Sequence, residues 1–108
     1  MTIQNSLLTT TATNIYVSSG NTVISTMYFC NTYTAAVNFN VYLVPSSNVA
    51  LPVSVANQIY CNIQLAAGDT YVADWEKLVL GNNDMIRANV TPTSQASVCS
   101  AIVTYVGI

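Results

Sequence analysis

Hydrophobic and polar residues alternate with a period of two along most of the chain. In "VNFNVYLV", Val37, Phe39, Val41 and Leu43 fall on one side, and Asn38, Asn40, Tyr42 and Val44 on the other. "QIYCNIQL" sets Ile59, Cys61, Ile63 and Leu65 against Gln58, Tyr60, Asn62 and Gln64. "MIRANV" separates Ile86, Ala88 and Val90 from Arg87 and Asn89, and "SVCSAIVTYV" separates Cys99, Ala101, Val103 and Tyr105 from Ser100, Ile102, Thr104 and Val106. Alternation of this kind, rich in β-branched and aromatic residues, is the pattern of half-buried strands. The turn clusters "SSGN", "PSSN", "AGD", "GNND" and "TPTS" punctuate it. The predicted strands run near 2–9, 13–18, 22–32, 36–44, 58–65, 69–74, 77–80, 84–91 and 97–106.

Eight or nine short strands in one 108-residue domain, residues 1–108, predict an all-β fold. The architecture expected is an antiparallel β-sandwich, jelly-roll-like or Ig-like, since periodicity does not reveal strand order. "ADWEKLVL" has the length of a short helix, but Lys77 stands where a capping box places an acid. An extended segment with Leu78 and Leu80 facing inward is the better reading. Residues 45–57, with Pro45 and Pro52, read as a surface loop rather than a central strand.

Composition sharpens the picture. Only 6% of residues are charged, while Ser, Thr and Asn together number 35. All six charges, Asp69, Asp74, Glu76, Lys77, Asp84 and Arg87, fall within residues 68–87. Two basic residues cannot track a phosphate backbone, so nucleic acid is not an expected partner. A neutral surface gives little colloidal repulsion and suits a protein that ends packed in an assembly. No apolar run reaches a membrane span, and the N-terminus has neither the basic nor the apolar region of a signal peptide. Cys30, Cys61 and Cys99 are expected as unpaired, buried small residues in a reducing compartment.

Candidate chemistry is thin. The chain has no histidine, and Gly20, Gly68, Gly81 and Gly107 are isolated. The usual general base and any phosphate-cradling glycine loop are therefore missing. Asp74 and Glu76 would share one face of an extended segment, as a carboxylate pair requires. The oxygens of "GNND" with Asp69 form a loose calcium candidate without regular spacing. For both sets, solvated turn residues are the stronger reading; no enzyme, metal or cofactor is expected. Interface candidates are Trp75, Lys77, Arg87, Tyr42 and Tyr60. Trp is enriched at interaction hot spots, and both tyrosines fall on the polar side of their predicted strands. A single charged edge or end on an otherwise neutral sandwich is the simplest layout for the six charges, with cross-strand pairing among Asp74, Glu76, Lys77 and Arg87.

The stretch "TVISTMYFCNTYTAAVNFNVYLVPSS" resembles small virion structural proteins of tailed bacteriophages, of a cyanophage-like group. In them, a strand ending in Cys-Asn leads through a Thr/Ala turn into a Val-x-Phe strand ending Tyr-Leu-Val-Pro. "IQLAAGDTYVADWEKLVLGNNDMIRANV" and the closing "VTYVGI" are similar to the same proteins' later strands. The likeness covers residues 13–44 and 58–108, and residues 45–57 depart from it. The resemblance implies a β-sandwich repeated in many copies on the particle, and it brings no catalytic residues. Small size, neutrality and the absence of a stalk make a capsid-exterior decoration or cement protein the first expectation, built in the host cytoplasm. Its partners would be itself, a trimer suiting local three-fold positions, and larger virion proteins such as the major capsid protein. The alternatives are a neck, tail or baseplate component, or a carbohydrate- or receptor-binding module of a tail fibre.

Overall fold

The computed structural model describes residues 2–46, 58–73, 78–91 and 99–108. Nine strands form there: β1 (Thr2–Leu7), β2 (Thr13–Val17), β3 (Thr22–Asn31), β4 (Val37–Val44), β5 (Gln58–Leu65), β6 (Thr70–Ala73), β7 (Leu78–Leu80), β8 (Met85–Thr91) and β9 (Cys99–Gly107). Each lies within two residues of a predicted span.

Two antiparallel sheets stack to make a β-sandwich. Sheet A runs β1-β9-β3-β6, with β7 also paired to β3; sheet B runs β2-β8-β4-β5. The first strand thus pairs with the ninth, the second with the eighth, the third with the sixth and the fourth with the fifth. This nested order is jelly-roll-like, whereas an Ig order keeps the first two strands in one sheet. β6 and β7 divide one edge of sheet A between them. β7 meets Thr22–Ile24 at one end of β3, and β6 meets Met27–Cys30 at the other.

The core lies where the inward faces meet. β4 presents Val37, Phe39 and Val41, β8 presents Ile86, Ala88 and Val90, and β9 presents Cys99, Ala101 and Val103, all at most 1% exposed. β3 contributes Ile24, Met27 and Phe29 beside β9 in sheet A, facing β4 and β8 of sheet B. Their alternation is the one written in the sequence. Two bulges let the pattern break without wasting apolar residues. On β2 the register slips between Asn14 and Tyr16, so consecutive Ile15 and Tyr16 are both buried. On β3 it slips between Ile24 and Thr26, which changes the inward parity from even to odd numbers.

β5 corrects the sequence reading. Phe39 stands opposite Ile63, but Val41 stands opposite Tyr60, so Cys61 and Asn62 together face Asn40. Asn62 takes the left-handed conformation at φ 50° that such a bulge needs. Beyond it the parity inverts. Tyr60 turns inward against the core, while Ile59 is exposed. The same inversion leaves Cys61 exposed; Cys30 is half-buried, and among the three free cysteines only Cys99 is buried as expected.

Asp69 and Asp84, close in sequence, lie at opposite ends of β3. Asp69 ends the β5–β6 turn, where its carbonyl accepts from Asn31 N at the far end of β3. Asp84 ends the β7–β8 turn, beside Ser18 and close to the start of β3. The ten-residue length of β3 separates them. Of the single charged edge or end expected, these two residues do not share an end, but both flank the β6/β7 edge of sheet A. Asp74, Glu76 and Lys77 lie outside the described residues.

Candidate functional site

Of the five residues singled out as interface candidates, Trp75 and Lys77 lie outside the described residues. Tyr42 and Arg87 come together on the outer face of sheet B. They are cross-strand partners on β4 and β8, and Arg87 is also the partner of Asn14 on β2. Arg87 Nε donates to Asn14 Oδ1 at 2.9 Å, and its terminal nitrogen lies 3.8 Å from Met85 Sδ. One row along, Asn40 Nδ2 donates to Asn89 Oδ1 at 3.1 Å. Asn40 Oδ1 accepts from the Asn62 backbone N–H at 2.8 Å and from Gln58 Nε2 at 3.0 Å. These amides are fixed by one another and by the bulge. Around Asn40, Asn89 and Arg87, the outer face of sheet B is therefore a hydrogen-bonded polar surface.

Tyr60 belongs to a different feature. Between the open edges of the two sheets, Ile24, Met27, Ile59, Tyr60, Tyr71 and Leu78 line a cavity of about 440 Å³. Tyr60 and Tyr71 meet edge to face at 5.8 Å, and Tyr71 in turn meets Phe39 at 5.6 Å. Burial, then the neighbouring Tyr71, raises the Tyr60 phenol above its ordinary value. Burial, with a smaller effect from Cys30, pushes the Cys99 thiol up to about 11. Both shifts disfavour the ionised form, the opposite of what an activated nucleophile requires.

The two described carboxylates, Asp69 and Asp84, stand at turns. Asp84 Oδ2 accepts from Gly81 N at 2.8 Å and Oδ1 from Ser46 N at 2.9 Å, tying the β7–β8 turn to the end of β4. This is the role expected of a short carboxylate at a turn. Asp69 and Asp84 are too far apart to share a cation, so the calcium candidate does not assemble from them. Among the described residues, no group of three or more His, Cys, Asp or Glu side chains could hold a metal ion. No helix among them is long and apolar enough to cross a membrane.

The surface that sequence reasoning missed is the outer face of sheet A. Cross-strand partners share a side, so the register assigns it Ile3, Asn5 and Leu7 from β1, Ser100, Ile102, Thr104 and Val106 from β9, and Thr26, Tyr28 and Cys30 from β3. Val72 of β6 and Val79 of β7 complete its far edge. Six large apolar side chains are exposed there: Ile3 (67%), Leu7 (54%), Tyr28, Val72, Val79 (67%) and Val106. No charged residue is among the residues assigned to this face. β1 is inside out: Thr2, Gln4 and Ser6 lie on the side toward sheet B, and Ile3 and Leu7 on the side away from it. The available signal was "TIQNSL" itself, whose apolar residues fall at positions 3 and 7. Which side they take becomes visible only once β9 is known to be the neighbour.

No family model, curated protein or solved structure matches the chain.

Proposed function

We propose that this protein is a non-enzymatic structural subunit of a tailed-phage virion, present in many copies and set on the capsid exterior. The observation that carries the assembly part of the reading is the outer face of sheet A, which holds no charge among its described residues. Isolated exposed apolar residues are ordinary, but contiguous patches of this kind mark interaction surfaces. Burying a neutral face avoids the desolvation cost that charges would impose. The virion part rests on the strand and turn motifs of residues 13–44 and 58–108. A jelly-roll-like order agrees with it, since viral capsid domains use that fold, although fold alone does not assign function. The same reading extends to a neck, tail or baseplate position.

Immunogold labelling of purified virions with antibody to the recombinant protein tests the placement. Gold spread over the head is the expected outcome. Gold confined to the neck or tail moves the subunit there. Absence of the protein from virions by mass spectrometry removes the virion reading.

A second reading, a carbohydrate- or receptor-binding module, draws on the cavity beside Tyr60 and Tyr71. Aromatic walls of this kind suit sugar faces. Saturation-transfer NMR with host-surface polysaccharide checks it, and loss of any signal on Tyr60→Ala would place the sugar in that cavity.

A further inference from the structure

We infer that the outer face of sheet A is the surface through which two copies of this chain pair, sheet against sheet, about a two-fold axis running along the strands between β9 and β3. The inference rests on the assembly part of the proposed function and names its partner.

The pattern of the face is self-complementary under that operation. Such an axis places β1 of one copy over the β6/β7 edge of the other, and the central strands over each other. Apolar residues occur on both edges at matching heights. Ile3 is level with Thr104, and Val79 is level with Val106 through Val23. Leu7 is level with Ser100, and Val72 is level with Ile102 through Tyr28. Each apolar residue of β1 is thus two residues along the strand, about 7 Å, from its counterpart on the opposite edge. The crossing angle of about 30° in aligned sheet packing takes up about half of this offset at the edge strands, and side-chain length spans the rest. Ile3 of each copy then meets Val79 of the other, and Leu7 meets Val72. A shallow hollow of about 280 Å³ bordered by Asn5, Leu7, Ser100 and Ile102 lies where the Val72 edge of the other copy arrives.

Area and charge point to a second copy. Four strand positions at about 4.8 Å spacing and nine residues at about 3.3 Å each give a face of about 570 Å². Two such faces bury at most about 1,100 Å², above the roughly 1,000 Å² a biological interface should clear and in the range of weaker association. The described residues of the face carry no charge, so they offer no electrostatic means of selecting a different protein and no like-charge repulsion against a second copy. The inverted amphipathicity of β1 agrees: exposed to water, Ile3 and Leu7 make an unprotected apolar edge of the kind that monomers suppress.

Sedimentation equilibrium of the untagged protein tests the inference, with circular dichroism confirming that each variant keeps its strands. The wild type is expected to dimerise at micromolar to tens-of-micromolar concentrations. Ile3→Lys and Val79→Asp should each weaken the dimer about tenfold or more, because a buried charge is left unpaired. The Ile3→Lys/Val79→Asp double variant should recover much of the loss, because the axis sets the two new charges of neighbouring copies together. Should either single variant lose its strands, Val72→Lys replaces it as the disrupting change. A wild type that stays monomeric, or forms a trimer, overturns the inference. So does a dimer indifferent to both single variants, or a double variant no better than the singles. The virion reading is judged separately by the gold labelling. Labelled particles with a monomeric protein sink this interface alone, and a dimer absent from particles sinks the virion reading alone.

Discussion

Phe29 and Phe39 stack with ring centroids 4.5 Å apart and planes 19° from parallel, one ring from each sheet. Both are fully buried, and Tyr71 closes on the edge of Phe39. This contact joins the two layers at their centre. Phe39→Ala is expected to cost about 3–5 kcal/mol, since it removes apolar area and opens a cavity. Phe39→Leu should cost less than half of that. Urea unfolding followed by tyrosine fluorescence measures both, and a Phe39→Ala loss below 1 kcal/mol would mean that the layers are held elsewhere.

Asn31 is fully buried at the end of β3. Its Nδ2 reaches the carbonyls of Ala35, Leu65 and Ala66, and its Oδ1 accepts from Tyr33 N. One side chain therefore ties the β3–β4 connection to the β5–β6 turn. Asn31→Ala should cost about 1–3 kcal/mol, because the buried Leu65 carbonyl and three part-buried backbone groups lose their partner. Asn31→Asp sets a carboxylate against those carbonyls, which raises its pKa in the folded state. Relative to wild type, that variant should be most stable near pH 4 and lose stability as pH rises to 7. An equal deficit at both pH values would refute the carbonyl-cage account.

The buried Cys99 thiol gives the wild type a pH dependence of its own. Its folded pKa is raised from 9.0 to about 11, so the unfolded chain ionises first. The stabilisation is complete below pH 9 and is lost as pH climbs from 9 to 11. Tyr60, raised above 10.0, adds a loss of the same sign at the upper end of that range. Denaturation midpoints measured from pH 8 to 11 should fall, and Cys99→Ala should flatten the early part of the fall. An unchanged slope in that variant would assign the effect to the tyrosines.

Asn62 holds φ at 50° to make the β5 bulge, and its backbone N–H is satisfied by Asn40. Asn62→Gly should be neutral within about 1 kcal/mol, since glycine accepts this conformation freely. Asn62→Val should cost about 1–3 kcal/mol through backbone strain. If valine is tolerated, the strand has slipped into regular register, and Ile59 rather than Tyr60 should then be protected in hydrogen–deuterium exchange and NMR.

The strands themselves were readable because each buried face repeats every second residue: Val37, Phe39 and Val41, or Ile86, Ala88 and Val90. The turns were readable from Gly68, Asn83 and Asp84, whose chemistry is local. Tyr60 was assigned to the wrong side because a bulge inserts one residue, and nothing in "YCNIQL" marks where it falls except an asparagine able to adopt positive φ. Val44 and Met85, cross-strand partners on the outer side of sheet B, are buried although alternation places them away from the core. The exposed face of sheet A was invisible for a different reason. It is assembled from five strands spread between residues 3 and 106, and only non-local pairing puts Ile3 and Val79 on one side.

The nested strand order has a consequence for biosynthesis. β9 lies between β1 and β3 in sheet A, yet it is translated after both, so Thr2 waits for Tyr105 before its strand can hydrogen-bond. Closure across about a hundred residues makes folding slow, as high contact order does generally. A ribosome stalled before residue 99 releases a chain in which neither β1 nor the outer face of sheet A exists. Only a chain that already carries β9 can then present that face, so its exposure reports that the last strand has been made.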